Sequence, residues 1–83
     1  MVRRSRLEIY FDVLETIEEG THKPTRIMYE TNLSWKSLCD VFENLLKSDF
    51  IREEKMGNSK RYYIFEKGRN ALSYHLKFLE GFI

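Results

Sequence analysis

Two adjoining stretches decide the fold: KPTRIMYETNLSWKSLCDVFENLLK, residues 23–47, and FIREEKMGNSKRYYIF, residues 50–65. Pro24 suits the entry to a helix, because its missing amide donor would be unpaired there in any case. A short helix over 25–31 follows. Asn32-Leu33-Ser34 makes a turn, with Leu33 as an apolar plug and Ser34 as N-cap of a longer helix over 35–47. Leu38, Val41, Phe42, Leu45 and Leu46 form the buried side of that helix. Lys36, Ser37, Asp40, Glu43, Asn44 and Lys47 hold the opposite side.

The second stretch reads as a hairpin over 50–65, with strands at 50–56 and 61–65 around Gly57-Asn58-Ser59-Lys60, residues that tolerate tight turns. An isolated hairpin is marginal in water, so Ile51, Tyr63 and Phe65 are expected to anchor it on the helices. Upstream, Ser5-Arg6-Leu7-Glu8 is a capping box opening a helix over 5–19. Its apolar residues Leu7, Ile9, Tyr10, Phe11, Val13, Leu14 and Ile17 cover roughly 200° of arc. Gly20 is a good residue to end it, and residues 21–24 leave room for a short edge strand. Downstream, Gly68 interrupts the pattern and a last helix runs over 69–83. This order predicts a single α+β, mainly helical domain: a winged helix-turn-helix of three helices and a two-stranded wing, with an additional C-terminal helix.

The 83 residues make one domain, 42% hydrophobic and 33% charged, which is too apolar for disorder and polar enough for a soluble module. A net charge of +1 excludes a histone-like polycation, but the average conceals a division along the chain. Arg3, Arg4 and Arg6 crowd residues 1–6 with no acid. Glu8, Asp12, Glu15, Glu18 and Glu19 crowd 7–19 with no base, and Lys55, Lys60 and Arg61 crowd 55–61 with no acid. An acidic side and a basic side are expected, as for a protein that turns one face to a polyanion.

Cys39 is the lone cysteine, which excludes an internal disulfide and suits a reducing compartment; it is expected as a small buried residue on the flank of its helix. Glu8 and Asp12 interrupt what a leader peptide would need as an apolar run, and no segment is long enough to span a membrane. A cytoplasmic location is expected. His22 and His75 are too far apart in sequence to suggest a metal site, no Gly-rich phosphate loop or nucleophile elbow is present, and no cofactor or small-molecule ligand is implied. Binding rather than catalysis is therefore the expected function.

RIMYETNLS, residues 26–34, and YIFEKG, residues 63–68, resemble the archaeal winged-helix DNA-binding proteins of about ten kilodaltons, a family of nucleoid-associated proteins and predicted transcriptional regulators. Phe65 stands where such proteins commonly carry Thr. The resemblance implies a homodimer, joined through C-terminal helices, that binds double-stranded DNA.

Within that frame each residue has a plain reading and a functional one. Lys36 and Ser37 lie in the exposed first turn of the second helix of the motif, where they can reach guanine acceptors or phosphate. Ser34 and Trp35 begin that helix. Trp35 either covers the core beneath the turn or meets a thymine methyl or sugar. Asn44 lies further along the same polar side, where Asp40 and Glu43 would repel phosphates. Tyr29 is expected in the core with its hydroxyl at the surface, whereas Arg26 near a helix start is placed for phosphate. Lys55, Asn58, Ser59, Lys60 and Arg61 make a basic, hydrogen-bonding wing tip. Arg3, Arg4 and Arg6 can form an arm into a neighbouring minor groove. The alternative is a protein-interaction module that uses the same fold without DNA.

The C-terminal helix carries two apolar stripes. One is Leu72, Leu76, Leu79 and Ile83; the other is Ala71, Tyr74, His75, Phe78 and Phe82. Together they span about 200°, more than one small core can cover, so a second copy of the chain is expected against them. Ile9 and Val13 of the first helix are expected to join that interface.

Overall fold

A computed structural model describes residues 4–81. Four helices and one hairpin follow in the order α1 (Arg6–Glu18), α2 (Pro24–Thr31), α3 (Trp35–Lys47), β1 (Ile51–Met56), β2 (Ser59–Ile64) and α4 (Glu66–Glu80). Local chemistry sets most of these limits. Ser5 Oγ accepts from the Glu8 amide at 3.1 Å and Ser34 Oγ from the Ser37 amide at 3.2 Å, so each satisfies a donor that its helix leaves open. Pro24 is in the first turn of α2, and Asn32 ends that helix in the left-handed region at φ 56°. The Leu33 amide then returns to the Met28 carbonyl, folding the turn over α2.

The core draws on every element: Val13, Leu14 and Ile17 of α1, Ile27 of α2, Leu38, Val41, Phe42 and Leu45 of α3, Ile51 and Tyr62 of the hairpin, and Leu72 of α4. Thr31 is buried among them, and its hydroxyl donates to the Ile27 carbonyl at 2.7 Å. Leu46, on the edge of the α3 stripe, is half-buried.

The hairpin is antiparallel, with Ile51 opposite Ile64, Glu53 opposite Tyr62 and Lys55 opposite Lys60. Its loop is two residues, Gly57 and Asn58, and Gly57 supplies the positive φ of 62° that such a tight connection needs. Ser59 and Lys60 therefore belong to the ladder and not to the loop. The register also corrects the expected anchor. Side chains alternate across a strand, so Tyr62 shares the face of Ile51 and enters the core, while Tyr63 takes the other face and Phe65 is exposed. Tyr62 stacks on Phe42 with ring centroids 3.9 Å apart, and its hydroxyl donates to Glu53 at 2.9 Å. Burial, reinforced by the Glu53 carboxylate, pushes its phenol above the ordinary range.

Residues 21–23 form no strand. The connector instead lies along β2 through the Tyr62 amide, which donates to the His22 carbonyl at 2.9 Å, and through His22 Nδ1, which donates to the Tyr62 carbonyl at 2.9 Å. Gly68 is not a break between elements but a buried residue inside α4. A Cβ there would stand 2.2 Å from the Phe50 carbonyl oxygen, which also accepts from the Phe65 amide at 2.9 Å. Glycine thus lets α4 start at Glu66, three residues before Arg69, with its first turn against the end of α3 and the start of β1. α1 and α4 then run antiparallel, tied by Arg69 to Glu18 at 3.0 Å and by Phe11 stacked on His75 at 3.9 Å.

Candidate nucleic-acid interface

One groove joins the three parts of the motif. Lys23, Pro24 and Thr25 at the start of α2, Trp35, Cys39 and Phe42 of α3, and residues 58–62 of the wing all border it. The α3 residues follow from helical spacing: Trp35 and Cys39, four apart, present one ridge to the wing. Cys39 is exposed on that ridge and not buried. Its flank position was legible, but which neighbour lay on that flank was not. Trp35 is 51% exposed, so it roofs the core only partly and offers the rest of its indole to the groove.

Charge at this surface is unbalanced. Lys23, Arg26, Lys36, Lys55 and Arg61 form no ion pair among the described residues. Lys55 and Lys60 face each other across the hairpin, a like-charge pair that costs stability unless an anion bridges it. Lys60 is drawn to Glu53 at 3.7 Å. Asp12, Glu15, Glu19 and Glu30 share a depression with Arg4, and Glu30 also lines one with Lys23 and Arg26. The acids of α1 thus line a depression that the wing does not border.

Hydrogen bonding sorts the remaining polar candidates. Ser34 donates to the Ser37 hydroxyl at 2.9 Å while accepting its amide, so it is committed to the cap. Ser59 donates to the Met56 carbonyl at 2.9 Å and holds the turn. Asn44 donates to the Tyr10 hydroxyl at 2.8 Å and to the Asp40 carbonyl, which commits it to joining α3 with α1. These three positions were assigned to DNA by pattern, yet their donors serve the fold. Lys36, Ser37 and Asn58 remain exposed. The outer side of α3 also carries Asp40 and the pair Glu43–Lys47 at 3.2 Å.

Other candidates move. Arg4 folds back on α1 to pair with Asp12 at 2.9 Å, and Arg6 is the first residue of that helix, so neither forms an extended arm; Arg3 lies outside the described residues. Tyr29, expected in the core, is 85% exposed beside Arg26, because Ile27 and Thr31 take the inner side of α2. Lys23 joins the cations of the groove. A lone lysine in a connector carries no signal until the His22–Tyr62 bonds bring it beside the wing.

The apolar candidates on α1 and α4 divide. Val13 and Leu72 are buried in the single chain and are withdrawn from any interface between copies, and Ile9 is half-buried. Leu76, Phe78 and Leu79 are exposed, joined by Tyr74 and by Leu7 of α1. Phe82 and Ile83 lie outside the described residues. Among the described residues no group of three His, Cys, Asp or Glu could hold a metal ion, and no helix is long and apolar enough to cross a membrane.

Comparison with known proteins agrees with this architecture. The chain is 32% identical over 71 residues to the uncharacterized protein MJ0287 of Methanocaldococcus jannaschii, covering 86% of this chain and 69% of that one. Among solved structures it superposes on Sso10a-2, a DNA-binding protein from Sulfolobus solfataricus, with TM-score 0.77 and 25% identity, over 95% of this chain and 85% of that one. It also matches F93 from STIV, a winged-helix DNA-binding protein, with TM-score 0.78 and 18% identity over 98% and 96% of the two chains. A winged helix-turn-helix family model matches residues 3–80, and the chain belongs to that family.

Proposed function

We propose that this protein is a homodimeric double-stranded DNA-binding protein, a transcriptional regulator or a nucleoid component of the cytoplasm. The observation that carries the reading is the set of unpaired cations, Lys23, Arg26, Lys36, Lys55 and Arg61, around the α2, α3 and wing surface of a winged helix. The first turn of α3 enters the major groove, where Lys36 and Ser37 meet base edges or phosphate. The wing tip, with Lys55, Asn58 and Lys60, follows the neighbouring backbone. Sso10a-2 and F93, which share the fold, are DNA-binding proteins.

Dimerisation is supported by the exposed apolar side of α4. One domain contributes three or four phosphate contacts, and two domains on one duplex account for about seven. A gel shift with mixed-sequence duplex tests the reading: the slope of log K against log salt is expected near −6 for about seven contacts. Affinity that hardly changes between low and moderate salt overturns it. Asp40 and the Glu43–Lys47 pair on the outer side of α3 favour a second reading, in which the same helix meets a basic partner protein. That protein partner would leave duplex DNA unbound at any salt.

A further inference from the structure

The wing's two adjacent cations both border the groove, and only one of them also reaches a second depression. Lys60 and Arg61 are neighbours in β2, so their side chains leave opposite faces of the hairpin. Lys60 shares its face with Lys55, Glu53 and Tyr62, while Arg61 turns back over the connector. There it shares a depression with Lys23, Arg26, His22, Thr21 and Gly20, a lining of three fixed cations and no carboxylate. The carboxylate opposite Arg61 across the ladder is Glu54, and Arg52 already engages it. Arg61 Nε is buried with no hydrogen-bond partner among the described residues. His22 supplies no acceptor for it through Nδ1, because that nitrogen donates to the Tyr62 carbonyl.

Three cations lining a depression that holds no carboxylate, with Glu30 bordering only the adjoining one, are costly unless something anionic lies among them, and an unpaired guanidinium donor asks for an acceptor oxygen. A tetrahedral phosphoryl group answers both needs, since it offers several acceptor oxygens to arginine forks and to an ammonium at once. We infer that Lys23, Arg26 and Arg61 close on one phosphoryl group, forming a seat between the start of α2 and the outer face of the wing. The seat adjoins the groove, which Lys23 and Arg61 border together with Lys60, and its own lining does not include Lys36 or Lys55. If the DNA reading holds, its occupant is a single backbone phosphate; otherwise it is a free phosphorylated ligand.

Two arms separate those sources. In the first, inorganic phosphate is titrated into the whole protein at constant ionic strength while amide NMR shifts of Gly20, Thr21 and Lys23 are followed. Saturable shifts are expected, weakened about tenfold or more by Arg61→Gln and unchanged by Lys36→Ala. Arg61→Lys, which keeps the charge, recovers part of the loss, and thermal melts confirm that each variant is folded. In the second arm the salt slope for duplex DNA is compared among Arg26→Gln, Arg61→Gln and the double variant.

The seat closes only with all three side chains, so losing either arginine or both releases the same single phosphate, and all three variants lower the slope by the same step, about 0.9 per subunit. That common step assigns the seat to the DNA backbone. Saturable phosphate binding with an unchanged slope, or with no duplex binding at all, assigns it to a free phosphorylated ligand. The inference is overturned if the two substitutions lower the slope in separate, additive steps. It is equally overturned if neither the amide shifts nor the slope responds.

Discussion

α3 and α4 are amphipathic helices of 13 and 15 residues that meet the same small core and make opposite use of it. α3 turns Leu38, Val41, Phe42 and Leu45 inward, and what it leaves outside is polar or charged apart from the indole of Trp35 and the thiol of Cys39. α4 buries only Gly68 and Leu72 and leaves Tyr74 76% exposed, Phe78 64% and Leu79 46%, with Leu76 beside them. The antiparallel ties from Arg69 to Glu18 and from His75 to Phe11 bring exposed Leu7 of α1 toward the same end of α4. A polar outer side suits a solvated polyanion, whereas exposed apolar side chains suit another protein surface. The core of one chain finishes α3 and leaves α4 unfinished.

The sharpest way to break that contrast is to place charge on the unfinished side. In a two-fold dimer each substitution is present twice, and burying an uncompensated carboxylate at an interface is strongly unfavourable. Leu76→Glu with Leu79→Glu should raise the dimer dissociation constant by about a thousandfold or more while the monomer keeps its helical signal. Sedimentation at tens of micromolar reads this directly. A wild type already monomeric there, or a double variant still dimeric, removes α4 as the dimerisation element.

A truncation in each helix sharpens the same comparison. Leu38 is fully buried, and Leu38→Ala should cost about 3 kcal/mol at any protein concentration. Leu76→Ala should instead cost stability only where the dimer is populated, so its urea midpoint moves toward that of wild type as both are diluted. A Leu76→Ala deficit that stays constant over a hundredfold dilution would mean that α4 is packed on its own chain after all.

The parts of the fold that rest on neighbouring residues were legible in the sequence, and those that rest on distant ones were not. The caps at Ser5 and Ser34, the turn at Asn32 and the inward stripe of α3 involve groups within four residues, so spacing alone carries them. Tyr62 and Tyr63 could be told apart only by the ladder register, because a shift of one residue exchanges the faces of a strand. Gly68 reads as a helix breaker until the Phe50 carbonyl is found where its Cβ would stand. The site shows the same division. Lys55, Lys60 and Arg61 were visible as a run of like charge, whereas Lys23 was not. The commitment of Asn44 to Tyr10, and the approach of Arg61 to Lys23 and Arg26, depend on which element packs alongside.

The smallest expected effect concerns how the two helices begin. The residues before α1, α3 and α4 have nearly the same extended backbone: Ser5 at φ −68° and ψ 161°, Ser34 at −70° and 158°, and Phe65 at −85° and 164°. Only the serines bring an oxygen to the open amides of the first turn. Phe65 makes no side-chain cap bond, so α4 starts with the right backbone and no acceptor. A hydroxyl introduced there would be aimed at the Gly68 amide without any rearrangement of the chain. Replacing Phe65 also removes ring contacts, which both Phe65→Thr and Phe65→Ala lose, so the difference between those two variants isolates the cap. Phe65→Thr should be more stable than Phe65→Ala by about 1 kcal/mol, and Ser34→Ala should lose about the same amount from wild type. In a domain of this size each corresponds to a shift of roughly 4–8 °C in Tm. Equal melting of the two variants at 65, beside a clear loss for Ser34→Ala, would show that α4 is held by the Gly68–Phe50 contact rather than by its first turn, and the contrast between the helices would then rest on packing alone.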